Sequence, residues 1–232
     1  MSDAVPERLS AHLRAWLGAW PPPSGAVEVV GSEQREREHG GRWWLPALAV
    51  SAPRGALLSV PPAAVDGVRR RGVDLDSLDS EDFWREVGAL TGETDLVPGR
   101  GVMRWTEQPA AVPEVGTWLD PADPRVPPWL SVFDGEVLVA LDSGGGYLGG
   151  AGRKRHDPQG HEVSVGVEPA ARGRGLARGL VVRLARRILA DGAIPTYLHD
   201  AQNGASCRVA EAAGFPDRGW RAMALWKAGG TR

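Results

Sequence analysis

The 232-residue chain is 42% apolar, has a formal charge of −2 from 27 basic and 29 acidic side chains, and contains one cysteine, Cys207. The apolar share supports a proper core; the slight negative charge argues against a nucleic-acid partner; and a single thiol excludes an internal disulfide or a cysteine metal cluster. No apolar run is long enough to span a bilayer and the N-terminus has no signal-peptide core, so the sequence predicts a cytoplasmic protein without a membrane partner.

Leu9, Leu13, Trp16 and Leu17 recur at helical spacing, which predicts an amphipathic helix ended by Trp20-Pro-Pro-Pro-Ser-Gly25. Strands are expected at 27–30, 43–45 and 56–60, with the charged stretch 32–39 as a turn between the first two. Pro61 and Pro62 stop the third. Helices are expected over 63–71 and 80–90, the second with Ser80 as N-cap and Glu81 and Asp82 in its first turn. This N-terminal α/β lobe, residues 1–100, closes near Gly99-Arg-Gly101, and a second domain, 101–232, opens with strand-like residues 102–105.

Prolines 109, 113, 121, 124, 127 and 128 mark an irregular connection expected to cover one side of the second domain. Residues 136–141 and 147–151 read as an antiparallel hairpin across Asp142-Ser-Gly-Gly-Gly146. Val163, Val165 and Val167 then alternate with Ser164 and Gly166, a half-buried strand stopped by Pro169. From Gly175 a helix places Leu176, Leu180, Leu184 and Ile188 at four-residue steps, ending at Asp191-Gly192, and a strand over 195–200 follows. Between strand and helix, Arg172, Gly173, Arg174 and Gly175 put free N–H groups and two guanidinium groups at the positive end of the helix, a seat for polyphosphate. All but two of the basic residues are arginine, so single arginines say little. Six of them between Arg172 and Arg187 exceed the chain's own frequency. Arg178, Arg183, Arg186 and Arg187 are expected on a solvated helix face.

Arg172-Gly-Arg-Gly-Leu-Ala177 resembles the acyl-CoA signature of the GCN5-related N-acetyltransferases (GNAT), Gln/Arg-x-x-Gly-x-Gly/Ala, and the segment from Asn203 through Ser206 and a short helix to Gly214-Phe215 is similar to that family's next element. The order of the two also matches the family, and its C-terminal motif is closest to the RimJ/RimL-like branch. The resemblance covers roughly 102–226 and implies a mixed, mostly antiparallel α/β sheet flanked by helices. It implies acetyl-CoA as co-substrate, no metal, and direct transfer of the acetyl group to a primary amine. The acceptor would be a small molecule or a protein N-terminus, and a homodimer is allowed.

In such a protein Val165 and Val167 would offer backbone groups to the pantetheine arm and acetyl carbonyl, with Gly166 giving room; a plain core strand is the other reading. Arg172, Gly173, Arg174, Gly175, Leu176 and Ala177 would cradle the phosphates. Glu162, expected to open the strand, is the candidate general base, against the alternative of a surface carboxylate. His161 and His156 are expected to be solvated. The family often has a tyrosine seven residues after the Asn to protonate the departing thiolate, but that position here is Ala210. Ser206 stands in for it as a hydroxyl able to bond the sulfur, or is an ordinary helix serine. The resemblance also sets Asn203 and Ser206 among the residues that bind the cofactor; Asn203 is expected to cap the helix in either case, and Cys207 is read as a small buried residue.

A dinucleotide-binding unit is disfavoured because Arg178 stands where its third glycine would fall and too little chain follows Asp200. A non-catalytic acyl-CoA sensor with the same fold is the remaining alternative. Residues 56–71 also repeat the strand, proline and helix order of 163–183, so the N-terminal lobe is a candidate degenerate second half.

Overall fold

The computed structural model describes residues 5–39 and 41–228. In chain order the elements are α1 (Glu7–Leu17), β1 (Val27–Gly31), β2 (Ala47–Ala52), β3 (Gly55–Val60), α2 (Val65–Arg71), α3 (Glu81–Leu90), β4 (Leu96–Trp105), β5 (Thr117–Leu119), β6 (Val137–Leu141), β7 (Tyr147–Arg155), β8 (Gly160–Val167), α4 (Leu176–Ala190), β9 (Ile194–His199), α5 (Gly204–Ala212) and β10 (Arg221–Lys227). The protein is mixed α/β with mostly antiparallel pairing, as expected. One compact unit holds the residues up to Met103 and those from Arg218 onward, and the other runs from Arg104 to Asp217. The division expected at 100/101 therefore falls inside β4, and β10, expected in the second domain, joins the first unit.

In the first unit α1 buries Leu9, Leu13, Trp16 and Leu17 and stops on Gly18, whose φ of +97° suits a residue without a Cβ. β1 pairs in parallel with β3 along its whole length, from Val27↔Ala56 to Gly31↔Val60. β3 and β2 form an antiparallel hairpin, and β10 runs antiparallel to both β2 and β4. Val29, Leu58, Val60, Phe83, Val87, Met223 and Leu225 build the core of this unit. Ser80 caps α3 by accepting from the Phe83 N–H at 3.2 Å. The strand expected at 43–45 does not form, because Pro46 follows it and has no N–H for a ladder; β2 begins at Ala47. Trp44 instead donates its indole N–H to the Arg35 carbonyl at 2.9 Å.

In the second unit the strand order is β9-β8-β7-β6-β5, with β9 parallel to β8 and the rest antiparallel. The apolar stripe of α4 supplies Leu180, Val181, Leu184 and Ile188 to a core completed by Val163, Tyr197, Ala210 and Phe215. Full burial of each large aliphatic side chain contributes about 1.5–3 kcal/mol. The opposite sheet face carries Gly150 and Gly152 on β7 and Gly166 on β8. A Cβ at Gly152 would stand 2.5 Å from the Phe133 ring, and one at Gly166 would stand 3.0 Å from the Trp129 indole. The proline-rich connection thus covers this face, using bare backbone as its seat.

β3 and β8 run out into the same local turn. Val60-Pro-Pro-Ala-Ala64 and Val167-Glu-Pro-Ala-Ala171 each form a 3₁₀ turn over Pro-Ala-Ala, entered through Pro61 at φ −55°, ψ 144° and Glu168 at φ −52°, ψ 139°. They then diverge. Val65 continues directly into α2, whereas Arg172-Gly-Arg-Gly175 precedes the first residue of α4.

Candidate functional site

Parallel strands pair along their length unless something separates them. β8 and β9 pair only through Gly160↔Ile194, His161↔Pro195 and Glu162↔Thr196, although β8 continues to Val167 and β9 to His199. The Glu168 N–H bonds the Leu148 carbonyl of β7 at 2.9 Å. Alternation along the strand therefore turns the N–H and C=O groups of Gly166 and Ser164 toward β7 and those of Val163, Val165 and Val167 toward the side where β9 has parted. The side chains of Val163, Val165 and Val167 meanwhile pack against the core beneath α4. One stretch of chain thus presents main-chain donors and acceptors at its edge while its side chains hold the fold.

β8 leads into the 3₁₀ turn Pro169–Ala171, and Gly173 and Gly175 follow with φ of +76° and +77°, the left-handed region that favours glycine. Gly175 is the N-cap of α4, and no side chain caps this helix end. The N–H groups of Leu176, Ala177 and Arg178 consequently point out of the first turn at the positive end of the dipole. Arg172 and Arg174 are exposed and fold back on the turn, the first through Nε to the Val167 carbonyl at 3.3 Å, the second through Nη2 to the Ala170 carbonyl at 3.1 Å. A fifteen-residue helix with an uncapped start, two glycines and two exposed guanidinium groups has the chemistry an anion needs.

Because β8 and β9 are parallel, the segments that leave them emerge at the same end of the sheet. Asn203, just beyond β9, accepts from the Ser206 N–H at 3.0 Å and caps α5, as expected. Ser206 is half-buried in the first turn of α5. Cys207 is half-buried too and accepts from Nη2 of Arg104 at 3.2 Å. Arg104 is only 2% exposed. It also donates to His199 Nε2 at 3.0 Å and to the Phe215 carbonyl at 3.0 Å, tying the end of β4 to β9, α5 and the turn after α5.

Glu162 departs from its expected role. It is the third residue of β8 and only 8% exposed, with Lys154 Nζ at 3.0 Å and His156 Nε2 at 3.1 Å. Burial pushes its pKa up, but the Lys154 charge and the His156 contacts outweigh that and hold it at about 2. A carboxylate so held is a poor proton acceptor at neutral pH. His156 is therefore not solvated, and neither is His161, whose pKa burial and the charges of Arg153 and Arg155 press down to about 4. Arg178 and Arg187 are exposed as expected, but Arg183 donates to the carbonyls of Val115 and Gly116, and Arg186 to that of Ala110 at 3.1 Å, binding the proline-rich connection to α4. Among the described residues no group of three or more His, Cys, Asp or Glu side chains could hold a metal ion, and no helix is long and apolar enough to cross a membrane.

The tie made by Arg104 is not legible in the sequence, because Arg104 lies in a strand, where a charged residue reads as surface.

Residues 102–215 match the family described as the acetyltransferase (GNAT) family. No curated protein matches the chain significantly. Among solved structures, the chain is similar to a protein described as a GNAT-family acetyltransferase from Novosphingobium aromaticivorans, at 22% identity and TM-score 0.44, over 57% of this chain and 67% of that one. A GNAT-family acetyltransferase from Colwellia psychrerythraea matches at 15% identity and TM-score 0.44, over 59% of each chain. A protein from Salmonella typhimurium described as an acetyltransferase, determined with its cofactor acetyl-CoA, matches at 25% identity and TM-score 0.32, over 40% of this chain and 64% of that one.

Proposed function

We propose, from the match of residues 102–215 to the acetyltransferase (GNAT) family, that the protein moves an acetyl group from acetyl-CoA to a primary amine by direct attack. The observation that carries this reading is the parting of β8 from β9 after Glu162 and Thr196, directly before an uncapped helix start flanked by Arg172 and Arg174. Acetyl-CoA needs both features at once, a strand edge for its amide-bearing arm and an anion seat for its phosphates. The thioester supplies the activated acyl group.

The chain's own part is positioning and polarisation. N–H groups of Arg174, Gly175, Leu176 and Ala177, with the guanidinium groups of Arg172 and Arg174, bind phosphate oxygens. Main-chain groups of Val165 and Val167 pair with the arm, and a strand N–H polarises the thioester carbonyl as charge develops on its oxygen. Ser206 donates to the departing sulfur in the place usually filled by a tyrosine. Since Glu162 is committed to Lys154 and His156, the amine must reach the site neutral or lose its proton to water. We keep the RimJ/RimL-like affinity, the cytoplasmic location and the acceptor class, a small amine or a protein N-terminus, within this reading.

A non-catalytic acyl-CoA sensor is the second reading, favoured by Ala210 in the tyrosine position and by the sequestered Glu162. Calorimetry with acetyl-CoA, followed by CoA release against polyamines, aminoglycosides, amino acids and short peptides, separates the two. Tight binding with turnover of one acceptor class supports transfer; tight binding without turnover supports the sensor; absence of binding removes both.

A further inference from the structure

Trp129 is 38% exposed, the one large apolar side chain left so open among the described residues of the second unit, and the site as described gives it no task. It is not loose. The turn that carries it is closed by the Leu130 N–H on the Pro127 carbonyl at 2.9 Å and by the Ser131 hydroxyl on the Pro128 carbonyl at 2.8 Å. Its ring meets the buried Phe133 edge to face, with centroids 6.2 Å apart. A Cβ at Gly166 would stand 3.0 and 3.4 Å from Cζ2 and Cη2 of the indole, so the six-membered edge of the ring lies on the backbone of β8.

That position bears on the side from which an acceptor comes. The strand edge proposed to hold the acyl arm borders two faces of the sheet. On one, Val163, Val165 and Val167 pack against the core beneath α4 and close the approach. On the other, alternation sets Glu162, Ser164 and Gly166, and Gly166 has no side chain to stand in the way. An amine that attacks a thioester held at this edge therefore crosses the second face, where the surface beside Gly166 is a fixed and exposed indole.

Charge narrows the acceptor further. Of the carboxylates that β8 and its end set on this face, Glu162 is buried against Lys154 and His156, and Glu168 lies past Val167 at the phosphate end; between them the strand offers only Ser164 and Gly166. A polyamine or an aminoglycoside gains affinity from several free carboxylates, which β8 does not supply beside Trp129. A body of carbon instead loses water against the indole. We propose that Trp129 selects the acceptor: its exposed indole receives the apolar body of a primary amine with a single charge while the nitrogen reaches the edge of β8. The role deepens the acyltransferase reading above and rests on it. A free amine and a peptide whose first residue is apolar share this chemistry.

The test offers the full-length chain phenethylamine, isopentylamine, ethylamine, spermidine, and short peptides that begin with Phe or with Ser. Wild-type kcat/KM should place the two apolar-bodied amines roughly tenfold or more above ethylamine and spermidine. A preference for the Phe peptide over the Ser peptide that exceeds the preference for phenethylamine over ethylamine supports a peptide source, and the reverse supports a free amine. Trp129→Ala should cut the ratio of phenethylamine to ethylamine by roughly tenfold, chiefly through KM, with acetyl-CoA affinity by calorimetry unchanged, and Trp129→Phe should keep most of the ratio. An unchanged ratio in Trp129→Ala, or a wild type that prefers spermidine, overturns the role and leaves the acyltransferase reading standing. Wild-type protein that binds acetyl-CoA but acetylates no amine overturns that reading and this role with it. If Trp129→Ala does not fold, the indole N–H resonance of Trp129 decides, identified by its loss in Trp129→Phe. It should shift when phenethylamine is added to the CoA-bound wild type and stay in place with spermidine; no shift with phenethylamine overturns the role.

Discussion

Arg172 and Arg174 are exposed and bond only to nearby carbonyls, so removing either guanidinium touches nothing in the core. Arg172→Ala and Arg174→Ala should each weaken acetyl-CoA binding by about tenfold or more while leaving the melting temperature almost unchanged, measured by calorimetry and thermal scans. Gly175 makes a poorer probe, because at φ +77° any side chain adds backbone strain to whatever it does to the ligand. His161 and Glu162 govern acid behaviour. Both have folded pKa values below their unfolded ones, so each contributes stability that is complete above the unfolded pKa and is lost as pH falls through the folded one. For His161 that window runs from its ordinary value of 6.5 down to about 4, and for Glu162 from 4.5 down to about 2. The melting temperature should therefore fall in two overlapping stages, and His161→Leu should flatten the first while leaving the second. A single stage beginning below pH 4.5 would show that His161 does not titrate as its surroundings demand. Arg104→Met leaves the His199 and Phe215 acceptors buried without a donor and should destabilise the protein by about 2–4 kcal/mol in urea titration.

At the scale of elements, the alternation of Val163, Val165 and Val167 and the stop at Pro169 were enough to predict β8 and α4 within a residue or two. The spacing of Arg172, Gly175 and Ala177 was enough to locate the turn between them. Local chemistry fixes such features: a strand period, a proline, a glycine that tolerates positive φ. The pairing of β8 with β9 was not legible, since nothing in either sequence says that a ladder stops after three residue pairs. The burial of Glu162 was equally hidden, because it depends on Lys154 and His156 arriving from the neighbouring strand β7 and the loop beyond it. Arg183 and Arg186 of α4 misled for the same reason. Their partners are carbonyls of an irregular segment more than sixty residues earlier in the chain. The open edge of β8 makes its own prediction: adding acetyl-CoA should slow amide hydrogen exchange at Val165 and Val167 and leave the paired β10 unaffected, read by exchange mass spectrometry or NMR. Unchanged protection over 163–167 in saturated protein would remove the strand edge from the site.

The whole molecule divides where no composition shift marks it, inside β4, and returns to its first unit only at β10. A fragment of residues 1–100 therefore lacks the strand that pairs with both β2 and β4. It should fail to unfold cooperatively, whereas the same fragment extended to 103 and joined by a linker to 218–228 should regain a cooperative transition. Neither should bind CoA: β1 stays paired with β3 to its last residue, and Ala64 passes straight into α2 without an Arg-Gly-Arg-Gly span. The shared turn after β3 and β8 agrees with a degenerate second half, which we retain as a proposal.

The early end of the β8–β9 ladder also bears on how long the protein survives in a cell. Unsatisfied strand edges are what other chains pair with when proteins aggregate, and here the unpaired run is the one proposed to receive the acyl-CoA arm. On the proposed function a bound acyl-CoA would act as a removable edge strand, adding about 2.7 kcal/mol to the folded state at a hundred times its Kd. The supply of acyl-CoA would set the half-life and solubility of this protein as well as its rate of work.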